Sequence, residues 1–250
     1  MVTATATTVA TTTRIEAMNS ALLQLLWLSS PALPVGAFSY SEALEAGVEL
    51  GDIGDEASAQ AWLLEQLHLS LARSDLSVLG AALQAWRDAD LARVRALNDW
   101  VLQTRETAEL RLQTEQMGKS LHDWLRGLAQ AEAANGAHRE AWAAVQAAEL
   151  AQPSYPVISA AVAAFTPASA SEAMTAYAFA WSENQVQAAI KSVPLGQSAG
   201  QRILAALCQD IPEAVALAQS LDDDSRQSFS PMLALYSAWH ETQYSRLFRS

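Results

Sequence analysis

The fold is decided by the stretch RETAELRLQTEQMGKSLHDWLRGL, residues 105–128. Its apolar residues recur at steps of seven, four, three and four, which places them on one face of a helix. They are Leu110, Met117, Leu121, Trp124 and Leu128. The opposite face carries Arg111, Glu115 and Lys119, and the spacing of the last two favours an ion pair one turn apart. The stretch therefore predicts a long helix with one buried stripe.

The rest of the chain repeats this organisation, without the sustained alternation that half-buried strands require. Further helices are predicted over residues 57–72, 75–89, 90–104, 139–150, 155–165, 172–191, 196–207, 212–219 and 231–239. Residues 172–191 carry apolar side chains on more than one face, which is typical of a helix surrounded by others. The sequence thus predicts an all-α, single-domain bundle of about ten helices around one or two central buried helices.

Local signals mark some helix ends. Ser39 with Glu42, and Ser169 with Glu172, have the spacing of a capping box, in which each side chain bonds the other residue's backbone amide. The helix that begins after Ser39 is expected to close at Gly51. Gly196 and Gly200 have the small-xxx-small spacing that lets two helices approach closely, either within the fold or at a partner surface.

The bulk composition excludes several classes of protein. The chain has 250 residues and a net charge of −12, which disfavours a nucleic-acid binder because such proteins neutralise phosphates with Lys and Arg. Polar residues and prolines interrupt both long uncharged stretches, so no membrane span is predicted. Cys208 is the single cysteine, which suits a reducing compartment, and the cytoplasm is the expected location.

Three regions are predicted along the chain. Residues 1–14 lie in an Ala/Thr-rich run without the basic residue and apolar core of a signal peptide, and are interpreted as a disordered extension. Residues 15–239 form the all-α domain. Residues 240–250, HETQYSRLFRS, form an aromatic, arginine-bearing tail that we expect to dock onto a partner, because aromatic and arginine side chains are favoured at binding hot spots.

Catalytic motifs are incomplete. Met117-Gly-Lys-Ser120 ends like a nucleotide-binding loop but has Gln113 where the first glycine belongs, and His240-Glu241 lacks the second histidine of a zinc hydrolase because Tyr244 takes its place. The residues Asp222 to Asp224 leave one enzymatic alternative open, an all-α Mg²⁺-dependent enzyme acting on a diphosphate substrate. We expect that the protein is not an enzyme and that it binds no resident metal ion and no cofactor.

Four stretches together resemble the UreF family of urease accessory proteins. They are Leu33-Pro-Val-Gly-Ala-Phe-Ser-Tyr-Ser-Glu-Ala-Leu-Glu45, Arg105-Glu-Thr-Ala-Glu-Leu-Arg111, Pro194-Leu-Gly-Gln-Ser-Ala-Gly-Gln-Arg202 and the tail from His240. The resemblance runs in order from about Leu22 to Ser250. It implies an all-α homodimer that is not an enzyme. It also implies a maturation factor that bridges UreD (UreH in some species) and the GTPase UreG, modulates GTP hydrolysis and helps to deliver Ni²⁺ to apo-urease.

The resemblance also implies the residues that meet each partner. Those on the UreD side are Tyr244, Arg246, Leu247, Phe248 and Arg249, and those on the UreG side are Glu45 and Lys191. Lys191 and Lys119 are the only lysines in the chain, so Lys191 suits either a specific contact or charge complementation at a helix C-terminus. The poverty in His and Cys fits a carrier through which Ni²⁺ passes only transiently, since such ligands would retain the ion.

Overall fold

A computed structural model of the chain describes residues 21–131 and 135–250. No strand occurs in these ranges, and the all-α prediction is confirmed. The helices are α1 (21–28 within the described range), α2 (Leu44–Glu49), α3 (Glu56–Gln66), α4 (Ser77–Arg87), α5 (Leu91–Thr104), α6 (Ala108–Gln130), α7 (Gly136–Ala148), α8 (Tyr155–Ala164), α9 (Ala170–Ser192), α10 (Gln197–Ser220) and α11 (Pro231–His240). The predicted disordered extension, residues 1–14, lies outside the described residues.

The most completely buried helix is α8, which packs between α4 and α6. Eight of its ten residues are buried, and it contains no charged side chain. Trp86 of α4 donates its indole N–H to the carbonyl of Val157 at 2.9 Å, which fixes the depth at which the two helices meet. This hydrogen bond near the start of α8 therefore helps to orient an otherwise apolar helix.

The long helix α6 matches the predicted stripe. Leu110, Met117 and Leu121 are buried, and Leu125 joins them. The helix begins three residues later than predicted, because Thr107 is its N-cap and accepts a hydrogen bond from the Leu110 amide at 3.2 Å. Gly118 faces the chain just before α8, where an added Cβ would lie 2.0 Å from the carbonyl oxygen of Pro153.

The region between α3 and α4 remains helical throughout. A π-helical segment, Leu67–Leu76, joins the two α-helices, where the sequence predicted two separate helices with a gap after residue 72. Its wider turn brings Asp75 to the cavity inside the bundle, where the carboxylate pairs with Arg105 and accepts a hydrogen bond from the Tyr177 hydroxyl at 3.2 Å. Such segments are rare and are often found at functional sites.

One predicted capping box is correct and the other is wrong. Ser169 and Glu172 bond each other's backbone amides at the start of α9. Ser39 instead lies in a short 3₁₀-helix, Ala37–Ser39, and Glu42 has a left-handed backbone (φ 49°). The Glu42 carboxylate turns inward, where long-range hydrogen bonds replace the local cap. Gly51 (φ 84°) lies just past the end of α2, close to the expected position.

The C-terminal helices also differ from prediction. The sequence predicted a break before Pro212, but α10 continues through it. Ile211, Ala214 and Val215 are buried around the proline, and their packing holds the helix together despite the missing amide. Gly200 allows α10 to lie against Ile190 of α9, because an added Cβ would be 2.4 Å from the Ile190 Cδ1. None of the described helices has both the length and the apolar content that a membrane crossing requires.

Candidate functional site

The tail runs back over the helical bundle instead of leaving it. Phe248 is only 6% exposed, and Ser250 is buried. The carbonyl oxygen of Ser250 accepts hydrogen bonds from the amide and the hydroxyl of Ser41 at 2.8 and 2.6 Å. The Arg249 amide donates to the carbonyl of Ser39 at 2.8 Å. The last residues of the described chain are therefore held by backbone contacts to the segment that precedes α2.

Glu45 on α2 is the main acceptor for the tail backbone. Its Oε1 accepts a hydrogen bond from the amide of Leu247 at 2.7 Å, and its Oε2 accepts one from the amide of Phe248 at 2.9 Å. Both bonds join neutral amides to a partly buried carboxyl group, a type of bond that is stronger than its neutral counterpart when the group is ionised. Glu45 thus fixes the tail at the point where it passes α2.

His240, at the end of α11, connects Glu45 with a second carboxylate. The ring is fully buried, with Nδ1 2.7 Å from Oε2 of Glu109 and Nε2 3.3 Å from Oε2 of Glu45. Glu109 lies in the first turn of α6 and also pairs with Arg246 of the tail. Three helices, α2, α6 and α11, therefore meet the tail in one charged cluster, which we call the clasp: Glu45, Glu109, His240 and Arg246.

The polar face of α6 supplies the remaining side-chain contacts to the tail. Gln113 Oε1 accepts a hydrogen bond from the Ser250 hydroxyl at 2.7 Å, and Gln116 Oε1 accepts one from Arg249 at 3.3 Å. Together with Glu109 these residues stand four and seven positions apart, on one helical face. None of the three was predicted to be a site residue, although polar residues at this spacing beside the apolar stripe indicate a polar contact face.

The structure brings together two groups of residues that the sequence assigned to different surfaces. Glu45 bonds the tail directly, and the Lys191 ammonium lies 5.7 Å from the centre of the Phe248 ring, a cation–π contact. Lys191 is exposed at the end of α9. The residues expected to meet UreD and those expected to meet UreG are therefore neighbours.

An exposed apolar surface accompanies the docked tail. Tyr244 is fully exposed and Leu247 is 62% exposed, while α11 presents an outward stripe at steps of three and four. We call these five residues the apolar face: Met232, Leu235, Trp239, Tyr244 and Leu247. Large apolar side chains exposed in series are typical of interaction surfaces.

A cavity of about 210 Å³ lies inside the bundle beside the tail. Its wall includes Glu42, Asp75, Arg105 and Tyr177. Desolvation raises the pKa of Glu42, although Trp181 and Gln113 donate hydrogen bonds to its carboxylate, both at 2.8 Å. Desolvation and the neighbouring Asp75 also raise the pKa of Tyr177. The wall therefore combines the ion pair of Asp75 and Arg105 with a carboxyl group and a hydroxyl group whose pKa values are raised.

The residues that supported the enzymatic alternative do not form a site. Asp222 accepts a hydrogen bond from the hydroxyl of Ser225, which holds its pKa below the ordinary value, and Asp223 pairs with Arg93 and Arg226. Within residues 21–131 and 135–250, no group of three or more His, Cys, Asp or Glu side chains is arranged to hold a metal ion. The run is a surface turn held by its own ion pairs.

A second apolar region lies away from the tail. A groove of about 600 Å³ separates α1 from α9 and α10, and its lining includes Leu22, Leu26, Phe179 and Cys208. Leu22 and Leu26 are more than half exposed. Among the described residues that line the groove, polar atoms are few and Glu172 is the one charged side chain.

Comparison with known proteins identifies relatives over nearly the whole chain. The family model described as UreF matches residues 53–208. The urease accessory protein UreF of Polaromonas sp. (strain JS666 / ATCC BAA-500) is 59% identical over 231 residues, which cover 92% of this chain and 95% of the relative. The protein of the same name from Paracidovorax citrulli is 61% identical, over 92% of this chain and 90% of the relative. A bifunctional urease accessory protein UreEF from Bordetella bronchiseptica is 45% identical, over 92% of this chain and 52% of the relative.

Proposed function

This chain belongs to the UreF family of urease accessory proteins, and from that premise we propose that it is a non-catalytic, dimeric scaffold of the cytoplasm that bridges UreD (or UreH) and the GTPase UreG. In this role it modulates the GTP hydrolysis that accompanies Ni²⁺ delivery to apo-urease. One relative is named a bifunctional urease accessory protein, UreEF, and this name supports a role in association with other urease accessory proteins.

The observation that carries the proposal is the apolar face. Two of its residues lie on the tail, which is hydrogen-bonded to the helical bundle. The side chains of Tyr244 and Leu247 are exposed to solvent, while the side chain of Phe248 is buried against the bundle. A segment that is already ordered loses less conformational entropy on binding than a free one does. The apolar face is therefore our candidate for the UreD surface. Arg246 and Arg249 hold the tail, which carries two of its residues, Tyr244 and Leu247.

Glu45 and Lys191 are our candidates for the UreG surface. Glu45 is partly buried under the tail, and Lys191 lies over Phe248. Any movement of the tail changes the surroundings of both residues. We therefore propose that a partner which stabilises the docked tail also prepares the surface that the GTPase meets, so that the first contact favours the second.

In this role Ni²⁺ is a cargo that the assembled complex transfers, and it has no permanent site in the chain. The cavity offers four carboxyl groups, those of Glu42, Asp75, Glu106 and Glu183, and its described lining contains no imidazole or thiol. Arg105 already pairs with Asp75. Oxygen groups of this kind bind nickel more weakly than nitrogen or sulfur ligands do. This donor set supports brief passage of the ion and disfavours storage.

The expected homodimer has a candidate surface in the groove between α1, α9 and α10. Its occupant in this proposal is a second copy of the chain, because the groove is apolar and the side chains at its rim, Leu22, Leu26 and Phe179, project into solvent. Burying these side chains in a symmetric contact removes apolar area from water, the usual driving force for stable homodimers. The groove lies apart from the tail, so dimerisation leaves the apolar face free.

The proposal is tested by co-purification with UreD and UreG. Leu247→Asp should abolish capture of UreD, because a carboxylate is then placed on the apolar face, while circular dichroism and the melting temperature stay near wild type. Leu69→Asp is the matched control, since Leu69 is also exposed but lies on the π-helical segment. Removal of residues 244–250 should have the same effect on UreD capture. Capture of UreD at wild-type levels by Leu247→Asp would contradict this assignment.

The UreG surface is tested by replacing each of the two lysines with alanine in a separate variant. Lys191→Ala should change GTP turnover in the assembled complex without lowering stability, whereas Lys119→Ala, which removes an exposed ion pair with Asp123, should leave turnover unchanged. Equal effects of the two variants would return Lys191 to a simple helix-end role.

A further inference from the structure

His240 has two hydrogen-bond partners that a neutral imidazole cannot satisfy together. A neutral ring carries one N–H donor and one acceptor nitrogen. Here both nitrogens face carboxyl oxygens, Nδ1 towards Glu109 at 2.7 Å and Nε2 towards Glu45 at 3.3 Å. With a neutral ring and two ionised carboxylates, one of these contacts would set two lone pairs against each other.

One additional proton removes the conflict, wherever it resides. If the ring takes it, both nitrogens donate; if a carboxyl group takes it, that group donates to the ring. The count of charges gives the same result. Glu45, Glu109 and Arg246 sum to one negative charge around a ring that is fully buried, and a single proton makes the clasp neutral. A buried uncompensated charge is costly, so the closed clasp favours the protonated form.

The other charged groups nearby do not replace this proton. Glu241 is exposed and accepts a hydrogen bond from the Glu109 amide at 3.2 Å, so it adds negative charge. Asp52, on the segment after α2, is bonded to the hydroxyl of Tyr236 at 2.6 Å. Lys191 stands over the Phe248 ring and is open to solvent.

The proton connects to the tail through one oxygen atom. Oε2 of Glu45 contacts both Nε2 of His240 and the amide of Phe248. When the proton leaves, the ring keeps one N–H, and the shorter contact, from Nδ1 to Glu109, is the one that retains it. The lone pair of Nε2 then faces Oε2 of Glu45, and this carboxylate cannot keep both of its contacts. The amides of Leu247 and Phe248 then lose their acceptor, and no other hydrogen bond holds those two amides.

We propose that His240 is a positioning residue that docks the tail with uptake of one proton, so that the clasp is closed when protonated and opens as the pH rises. An ordinary solvent-exposed histidine loses its proton near about pH 6.5. Above that value, and as long as the closed clasp keeps its proton, the closed state holds one proton more than the open state, so the docking equilibrium falls by up to about tenfold per pH unit. The importance of this opening for partner binding rests on the function proposed above; the opening itself does not.

The test uses the full chain alone, labelled with ¹⁵N at histidine and at the backbone. Imidazole nitrogen shifts distinguish a doubly protonated ring from either neutral tautomer, and His240→Gln identifies the signals of His240 among the four histidines. Exchange of the Leu247 and Phe248 amides, corrected for the intrinsic effect of pH, measures docking. We expect protection to fall by up to about tenfold per pH unit above neutrality, together with the change at the ring or a proton signal at a clasp carboxyl.

Two variants separate proton uptake from ordinary structural support. His240→Gln places a neutral amide between Glu45 and Glu109, and Glu109→Gln gives the ring a partner that accepts or donates without an extra proton. Each should flatten the pH dependence of Leu247 and Phe248 exchange, even if docking is weaker throughout. His138→Gln, on α7, is the control and should leave the dependence unchanged.

Two results would overturn the proposal. One is a neutral ring in a clasp with both carboxylates ionised while the tail amides remain protected. The other is an unchanged pH dependence of tail exchange in both His240→Gln and Glu109→Gln. Because no partner protein enters these measurements, their failure is distinguishable from a failure of UreD or UreG binding.

Discussion

Replacing Gly118 with alanine should destabilise the protein strongly, because α6 and the chain before α8 meet there without space for a methyl group. The new Cβ would lie 2.0 Å from the carbonyl oxygen of Pro153 and 2.8 Å from the carbonyl carbon of Ser154. Both are backbone atoms, so relief requires one element to move. Overpacking of a core usually costs 1–3 kcal/mol, and we expect about 3 kcal/mol here.

The matched control is Gly127→Ala on the same helix. Gly127 is exposed and nothing lies within 4 Å of its added Cβ, so the substitution changes only helix propensity. It should stabilise the protein by about 0.5–1 kcal/mol, because alanine loses less backbone entropy in a helix than glycine does. The two substitutions share their chemistry and differ only in the space around the site.

Urea unfolding followed by circular dichroism measures both effects. For a protein of this size, about 3 kcal/mol corresponds to a fall in melting temperature of roughly 6–12 °C. Gly118 also belongs to the Met117–Ser120 segment, which ends like a nucleotide-binding loop but lacks its first glycine and lies within α6. Nucleotide binding should therefore be absent in wild type and variant alike. If Gly118→Ala unfolded at the same urea concentration as Gly127→Ala, the close contact between α6 and the Pro153 carbonyl would be refuted.

Three other substitutions test separate parts of the molecule. Burial raises the pKa of Glu42, so its contribution to the free energy of unfolding is present below the ordinary range of glutamate and is lost as the pH rises through the folded-state pKa. Glu42→Gln should flatten that decline, which begins above the ordinary pKa of glutamate, about 4.3, when urea unfolding is measured at a series of pH values. Phe179→Asp should convert the proposed dimer to a monomer, measured by light scattering, and should speed maleimide labelling of Cys208. A dimer mass that stays unchanged in the variant would exclude the groove as the dimer surface. Asp223→Asn should lower the stability by about 1–3 kcal/mol, because it weakens an exposed ion pair with Arg93 and leaves the buried guanidinium of Arg226 with less compensation. Mg²⁺ should not alter the melting temperature of either form, and a Mg²⁺-dependent rise in the wild type alone would revive the enzymatic alternative.

The sequence predicted the elements whose causes are local. The stripe on α6 and the capping box of Ser169 and Glu172 depend on residues a few positions apart, and both are present. The capping box of Ser39 and Glu42 failed because Glu42 bonds Gln113 and Trp181, which are 71 and 139 positions away. Helix α10 passes Pro212 for a similar reason, since tertiary packing outweighs the local preference.

The same distinction applies to the candidate site. The resemblance singled out Glu45, Lys191 and the tail, but not that they touch each other. Glu109 was overlooked because its role depends on His240, 131 positions along the chain. A glutamate in the first turn of a helix is ordinarily explained by the helix dipole alone, so its sequence position gives no hint of a second task.

The π-helical segment before α4 has a consequence for sequence change in this protein. A π-turn is in effect an α-helix that has gained a residue, so deleting one residue between 67 and 74 should let the segment return to ordinary α geometry without breaking the helix. The residue lost and the tighter turn regained largely cancel in rotation, so Asp75 should keep its direction relative to α3 and its bonds to Arg105 and Tyr177. In an ordinary α-helix the same deletion would rotate the following residues by about 100°. The loss of one residue is therefore expected to be tolerated better in this segment than in the α-helices on either side of it.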